Sequence, residues 1–476
     1  MRRTRIVCTI GPATSHSQGL AALVAAGMDV ARLNFSHGSH ESHAAVIAEL
    51  RRLEARSGRP IAILQDLSGP KVRLGDLRDG PLLLRRGQRV RFVCDEAAAD
   101  GVIPLPVPQV FAAARAGALL FVDDGRMEFR VLHATRNEML VRSVNGGQIS
   151  SRKGVAAPGL ELDVPSATPK DIADLDFGLA QGVDWVAASF VRRPDDLAPL
   201  RERMALRGTY RPLIAKIEMR DAVRSIEAIA EAADGIMVAR GDLGVEIPIA
   251  EVPVVQKRVI EVARRRGKPV ICATHMLESM TLDPRPTRAE VTDVANAILD
   301  GADAVMLSGE TAVGRYPAET VRMMARIAAK AEPLLPDRPA FARERAADRE
   351  TTEAAAGAAV EIARSVKARA ILCATTSGGT ARRVARHRPD ALIIGATASR
   401  DVWRQLTLTW GVVPLLVPYT EDTDHMIAQT ISAACERRLV RAGDRVILTA
   451  GVPVHVPGTT NLIKVHVVEG AEGEQR

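Results

Sequence analysis

The stretch LIAKIEMRDAVRSIEAIAEAADGIMVAR, residues 213–240, decides the fold. It opens on a short apolar run, LIAKIE, passes through a segment of helical periodicity over 221–232, and closes on a second apolar run, GIMVAR. Both runs are apolar throughout, the pattern of strands covered on both faces, and a strand–helix–strand unit sets such strands parallel. The rhythm recurs on either side. RIVCTIG (5–11), VARLNF (30–35), IAILQDL (61–67), WVAASF (185–190), VICAT (270–274) and AVMLSG (304–309) complete a set of eight runs. Amphipathic segments such as 194–207, 254–266 and 287–299 lie between them. Eight such units predict an α/β fold of the (β/α)8 barrel type, whose reacting groups stand at the C-terminal ends of the strands.

Two intervals break the rhythm. Residues 70–165 carry short alternating runs, LLLRRGQRVRFVC (82–94), RMEFRVLHA (126–134) and EMLVRSV (138–144), separated by turn signals. They predict a small all-β domain inserted in a loop at the barrel mouth, where it serves as a lid. After Glu332 the chain turns proline- and charge-rich, the mark of a linker, and the runs AILCAT, LIIGAT, VVPLLVP, RVILTAG and LIKVHVV then predict a separate α/β domain. The expected organisation is a barrel over 1–69 and 166–335, an inserted small β-barrel over 70–165, a linker over 336–350 and a C-terminal α/β regulatory domain over 351–476.

Composition narrows the function classes. The chain has 476 residues and 47% hydrophobic content, enough for several cores. Its 64 lysines and arginines exceed its 57 acidic residues, giving a net charge of +7 and favouring anionic partners. Aromatic residues make up only 3% of the chain, too few for the base stacking of single-strand binders, so small phosphates are expected and nucleic acid is not. The five cysteines are scattered with no C-x-x-C pair, which argues against a disulfide framework or a zinc site and for a reducing cytoplasm. No apolar run is long enough to cross a membrane.

The strand ends then carry the chemistry. Lys216 and Glu218 lie two apart on one strand and so share a face, toward the barrel mouth. The next strand runs into ARGDLG, which brings Asp242 close. Two carboxylates without a neighbouring Cys or His pair suit magnesium or manganese rather than zinc. An ammonium beside that metal suits negative charge developing on a substrate oxygen, such as an enolate. A solvated ion pair would explain K-x-E by itself, but Arg32, Asn34, Ser36, Asp66, Thr274 and Ser308 occupy other strand ends.

VARLNFSHG, IAKIE, GIMVARGDLGVEIP, KPVICATHMLESM and PRPTRAEVTDVANAILDGADAVMLSGETAVGRYP together resemble the pyruvate kinase family, in order and across nearly the whole chain. The resemblance implies the three-domain architecture already read and a glycolytic phosphoryl transfer from phosphoenolpyruvate to ADP. It implies magnesium or manganese on Glu218 and Asp242, substrate phosphate near Arg32, and substrate carboxylate at Thr274 and the backbone N–H groups of Gly241 and Asp242. Lys216 would stabilise the enolate, and a water near Thr274 would protonate it. Nucleotide contacts would fall on Arg73, Lys153, His37 and Asn34, with Ser308 lining the same pocket. A homotetramer is also implied.

One departure stands out. Many family members hold potassium with the counterparts of Asn34, Ser36, Asp66 and Leu67 and carry glutamate where Lys71 stands here. A lysine is a compact unit cation on a flexible stem, so Lys71 is expected to replace the ion and potassium not to be required. A second expectation concerns Thr376, Ser377, Gly378, Gly379 and Thr380, between a strand and a helix. Hydroxyls and backbone N–H groups there suit phosphate, and the resemblance sets the family's effector site at this turn, with GVPVHVPGTTNL (451–462) as its second wall. A sugar monophosphate or AMP is the expected effector, though a plain glycine turn explains the same letters. Rival readings are a metal-dependent pyruvate aldolase, which would not need the insert's Arg73 and Lys153, and a catalytically idle metabolite sensor.

Overall fold

The computed structural model describes residues 2–98, 101–160, 162–335, 351–452 and 460–469. The eight apolar runs form one closed parallel barrel. Its strands, in spatial order, are Arg5–Ile10, Ala304–Leu307, Val270–Ala273, Gly235–Ala239, Leu213–Ile217, Trp185–Ala188, Ala62–Asp66 and Val30–Asn34. The strands are shorter than the sequence runs because the last one or two residues of most runs, such as Glu218, Thr274 and Ser308, already belong to the loops. Those residues, with Arg32, Asp66 and Lys216 inside the strands, are where the side-chain chemistry sits.

Val7, Val30, Leu64, Trp185, Ile214, Met237, Ile271 and Met306 fill the barrel interior. That core ends on Leu408 of the C-terminal domain, while the Trp185 indole N–H donates to the Gln405 carbonyl at 3.3 Å. The C-terminal domain therefore plugs the N-terminal end of the barrel and leaves the opposite end open. A second apolar shell joins the strands to the surrounding helices through residues such as Leu23, Leu50, Leu200, Ile229, Val259, Ile298 and Met324.

Several helices differ from the sequence reading, each for a local reason. The segment read as one helix over 221–232 is two, Arg220–Arg224 and Ile226–Ala232, broken at Ser225, whose φ of −94° and ψ of 14° leave the helical region. The helix expected over 194–207 opens as a 3-10 turn, Pro194–Leu197, before Ala198–Leu206. Its tightness follows from Asp196, whose carboxylate accepts the N–H groups of Arg192 and Arg193. The helix expected from 254 begins at Val252, with Pro253 in the first turn where a missing N–H costs nothing. The helix Arg288–Asp300 starts on a reciprocal cap between Thr287 and Glu290.

The insert holds a six-stranded sheet, in the order Val155–Ala156, Leu119–Val122, Met127–Ala134, Glu138–Ser143, Arg89–Val93 and Val102–Pro104, with two short ribbons beside it. Its own core centres on Phe92 and Phe129, packed edge to face at 5.3 Å. It is not all-β: Pro108–Ala113 is a helix, started by proline at its first turn. The C-terminal domain is a five-stranded sheet in the order Val412–Leu416, Leu392–Thr397, Ala370–Ala374, Arg445–Gly451 and Thr460–Val467, parallel except for the last strand. The expected linker over 336–350, and residues 453–459 of the expected effector wall, lie outside the described residues.

Candidate active site

Four adjacent strand ends build a buried charge network at the barrel mouth. Asp66 ends its strand 1% exposed and takes the Arg32 guanidinium on one oxygen at 2.7 Å and the Lys216 ammonium on the other at 3.4 Å. Lys216 lies equally 3.4 Å from Glu218 and donates to the Ser189 hydroxyl at 2.7 Å. Burial by itself would raise the Asp66 carboxyl, but Lys216 and Arg32 outweigh it and hold the group below its usual value. Burial would likewise lower Lys216, and Asp66 with Glu218 reverses that, so the ammonium stays charged. Arg32 is further oriented by donating to the Thr9 hydroxyl at 2.8 Å.

Glu218 is the least satisfied member of the network. Its Oε1 accepts the Phe190 N–H at 2.5 Å, whereas Oε2 is buried with no hydrogen-bond partner. Burial pushes the carboxyl up to about 7, the Lys216 charge offsets this only in part, and Asp242 adds to it. Oε2 has the Lys216 ammonium 3.4 Å away but no hydrogen bond, which leaves lone pairs for a further cation. Asp242 is more open, with Lys71 3.9 Å away. Among the described residues no group of three or more His, Cys, Asp or Glu side chains is gathered for a metal. Two carboxylates alone fit a magnesium-like ion, which keeps waters and substrate oxygens as its remaining ligands.

The next strand end is held in an unusual backbone. Thr274 and His275 have φ of 68° and 51°, left-handed values that cost a non-glycine residue about 1–3 kcal/mol each. The turn aims the Thr274 hydroxyl at Gly241, whose N–H donates to it at 2.8 Å, and that hydroxyl donates to the Ala273 carbonyl at 2.7 Å. Thr274 and Gly241, paired in the sequence reading as a carboxylate seat, are thus in contact. Ser308 follows on the neighbouring strand end, with its N–H on Glu310 at 2.6 Å and its hydroxyl buried without a partner.

Other expected residues stand apart from this network. Arg73 donates to the Arg152 carbonyl at 3.1 Å, and Lys153 pairs with Asp123 at 2.8 Å, both within the insert. The His37 side chain is exposed. Asn34 accepts the Ser36 N–H at 3.1 Å, and the Leu67 carbonyl accepts the Ser189 hydroxyl at 2.7 Å. Lys71 makes no hydrogen bond or ion pair with Asn34, Ser36 or Asp66; its ammonium leans toward Asp242, and its stem passes close enough to Gly154 of the insert that a Cβ there would meet Lys71 Cε at 3.2 Å. A cleft of about 820 Å³ between insert and barrel is lined by Lys71, Glu218 and Asp242, and also by Arg192, Arg193 and Arg220. Those three arginines, with Ser189 and the Phe190 N–H, escaped the sequence reading. The only trace of the last two was the end of the run WVAASF, whose penultimate residue, Ser189, is polar.

The sequence matches the family of the pyruvate kinase barrel domain over residues 1–321 and that of the pyruvate kinase alpha/beta domain over residues 353–466. The chain belongs to the pyruvate kinase family. Among its relatives, the pyruvate kinase of Geobacillus stearothermophilus is 45% identical over 98% of this chain and 80% of its own length. That of Agrobacterium vitis is 45% identical, and that of Corynebacterium glutamicum 43%, each over 98% of both chains. This pyruvate kinase family member is a phosphotransferase enzyme, which removes the idle-sensor and aldolase readings. No helix among its described residues is long and apolar enough to cross a membrane.

In the C-terminal domain a crevice of about 330 Å³ opens at the ends of the parallel strands. Thr376, Ser377, Gly379 and Thr380 line it together with Arg383, Tyr419, Gly451 and Thr460. Gly378 does not; its φ of 80° turns the chain, and a Cβ there would meet Arg382 at 2.8 Å and Leu406 at 3.1 Å. The Thr380 and Thr460 hydroxyls share a hydrogen bond of 2.7 Å across the floor.

Proposed function

We propose that this enzyme transfers the phosphoryl group of phosphoenolpyruvate to ADP, giving pyruvate and ATP, in glycolysis. The observation that carries the reading is the Arg32–Asp66–Lys216–Glu218 network, which keeps a charged ammonium beside an unsatisfied carboxylate at the mouth of the barrel. Arg32 receives the substrate phosphate, and the Thr274 hydroxyl with the Gly241 and Asp242 N–H groups receives the carboxylate. To do so, Thr274 and Gly241 exchange their mutual bond for bonds to the substrate.

Glu218 and Asp242 would hold the divalent ion, magnesium or manganese, which when bound supplies Lewis-acid charge neutralisation. A β-phosphate oxygen of ADP attacks phosphorus, the bond from phosphorus to the enol oxygen breaks, and the electron pair stays on that oxygen. Lys216 stabilises the enolate so formed, and a water near Thr274 delivers the proton that completes pyruvate. Arg73, Lys153, His37 and Asn34 contact the nucleotide and Ser308 lines the pocket. Because Arg73 and Lys153 ride on the insert, this step requires the insert to approach the barrel.

Lys71 supplies a resident cation, so potassium is not required; its ammonium near Asp242 supports a charge role on the metal side of the site. The C-terminal crevice takes a phosphorylated effector, a sugar monophosphate or AMP. Its hydroxyl lining and Arg383 support that class. A cytoplasmic homotetramer completes the reading. The test of the function is Lys216→Met: phosphoryl transfer is lost while circular dichroism is unchanged, and retained turnover rules Lys216 out.

A further inference from the structure

We propose that Arg240 is a positioning residue that clamps the left-handed Thr274–His275 turn and thereby sets the Thr274 hydroxyl and the Gly241 N–H for substrate. The proposal rests on the reading of those two groups as the carboxylate seat. Arg240 opens the short helix Arg240–Glu246, immediately before Gly241 and two residues before Asp242, and its side chain reaches across to the next strand end and two helices. Its Nε donates to the Ala273 carbonyl at 3.1 Å, and one terminal nitrogen donates to the Thr274 carbonyl at 2.6 Å and the His275 carbonyl at 3.4 Å. The other terminal nitrogen donates to Asp293 at 2.7 Å and Gln256 at 3.3 Å. All five guanidinium donors are therefore used, three of them on consecutive carbonyls of the next strand end.

The reason for such a clamp lies in the backbone it holds. Two successive non-glycine residues, one of them β-branched, do not keep φ of 68° and 51° unless their surroundings over-determine them. The three carbonyls of such a turn point to one side, and a planar fork that cannot lose its proton is the group that matches them. Asp293, on the helix Arg288–Asp300, and Gln256, on Val252–Arg265, fix the far side of the fork. The Gly241 N–H bond to Thr274 then forms the second stitch between the two strand ends. Without the first stitch the turn relaxes, Thr274 rotates away from Gly241, and the seat opens.

The test uses the full chain and three variants, Arg240→Lys, His275→Gly and the double variant. Lysine keeps the charge but loses the fork. Hydrogen exchange measured on the peptide containing Gly241 accelerates in Arg240→Lys, and kcat/KM for phosphoenolpyruvate falls about 10- to 100-fold, the scale of a misplaced binding group. Glycine adopts the left-handed region without cost, so His275→Gly in the Arg240→Lys background restores part of both readouts. A role confined to fold stability would show no such rescue. Asp293→Asn, which weakens the clamp without removing it, shifts both readouts in the same direction by less, and provides the test if Arg240→Lys does not fold. Unchanged exchange and kcat/KM in Arg240→Lys, or a loss that glycine at 275 leaves as it was, overturns the proposal. A wild-type enzyme that turns over no phosphoenolpyruvate defeats the functional reading instead, and the exchange arm still decides the clamp.

Discussion

The barrel mouth and the C-terminal crevice are both built where parallel strands end, yet they are furnished in opposite ways. At the mouth, Asp66, Lys216 and Glu218 are buried charges wired to one another, and the neighbouring turn is strained. In the crevice the lining is hydroxyls, glycine and apolar side chains such as Val417 and Met426, with one arginine, Arg383. Chemistry on a developing charge needs a field already oriented before the substrate arrives, and its cost is met by the rigidity of the barrel. A site that only reports the presence of a ligand can be neutral and loose, because binding then has ordering left to do.

The contrast can be broken most severely at its charged end. Lys216→Met removes the ammonium shared by Asp66 and Glu218 and is expected to lower kcat by about 10²–10³-fold or more, read by pyruvate formation. Lys71→Glu comes next. It puts a carboxylate beside Asp242, and activity in potassium-free buffer should fall about tenfold and return when potassium is added, the scale of one modest charge interaction. At the neutral end, Ser377→Glu sets a negative charge against an incoming phosphate; any change that AMP or a sugar monophosphate makes in the half-saturating phosphoenolpyruvate concentration should disappear. The smallest effect belongs to Thr380→Val. Losing the hydroxyl pair with Thr460 costs about 1 kcal/mol of stability, measured by denaturant unfolding of the C-terminal domain signal.

The sequence carried the barrel in full because eight buried parallel strands leave eight apolar runs, and several of them carry a polar residue of the mouth at or next to their end, as Asp66, Glu218, Thr274 and Ser308 do. Lys216 and Glu218 were legible for the same reason: period-two spacing survives folding without help from elsewhere in the chain. Arg240 was not. Its partners lie on the next strand end and on two helices, and nothing in its spacing foretells that Thr274 and His275 take left-handed φ. Ser189 and the Phe190 N–H were missed because they are partners from a neighbouring strand, a relation set by strand order rather than by sequence distance. Lys71 was read as the replacement for a potassium ion at Asn34, Ser36 and Asp66, but its ammonium leans toward Asp242 instead, a direction that depends on how the insert rests on the barrel. The broken helix at Ser225 and the insert's helix Pro108–Ala113 were hidden by local geometry that periodicity does not resolve.

The most direct test of the account is the formation of pyruvate from phosphoenolpyruvate and ADP with magnesium, in buffer free of potassium and ammonium, before and after potassium is added. The account predicts full turnover at the start and no further gain with potassium. Turnover that appears only with potassium would contradict the role given to Lys71, and none in either buffer would contradict the phosphoryl transfer assigned to the Lys216 network.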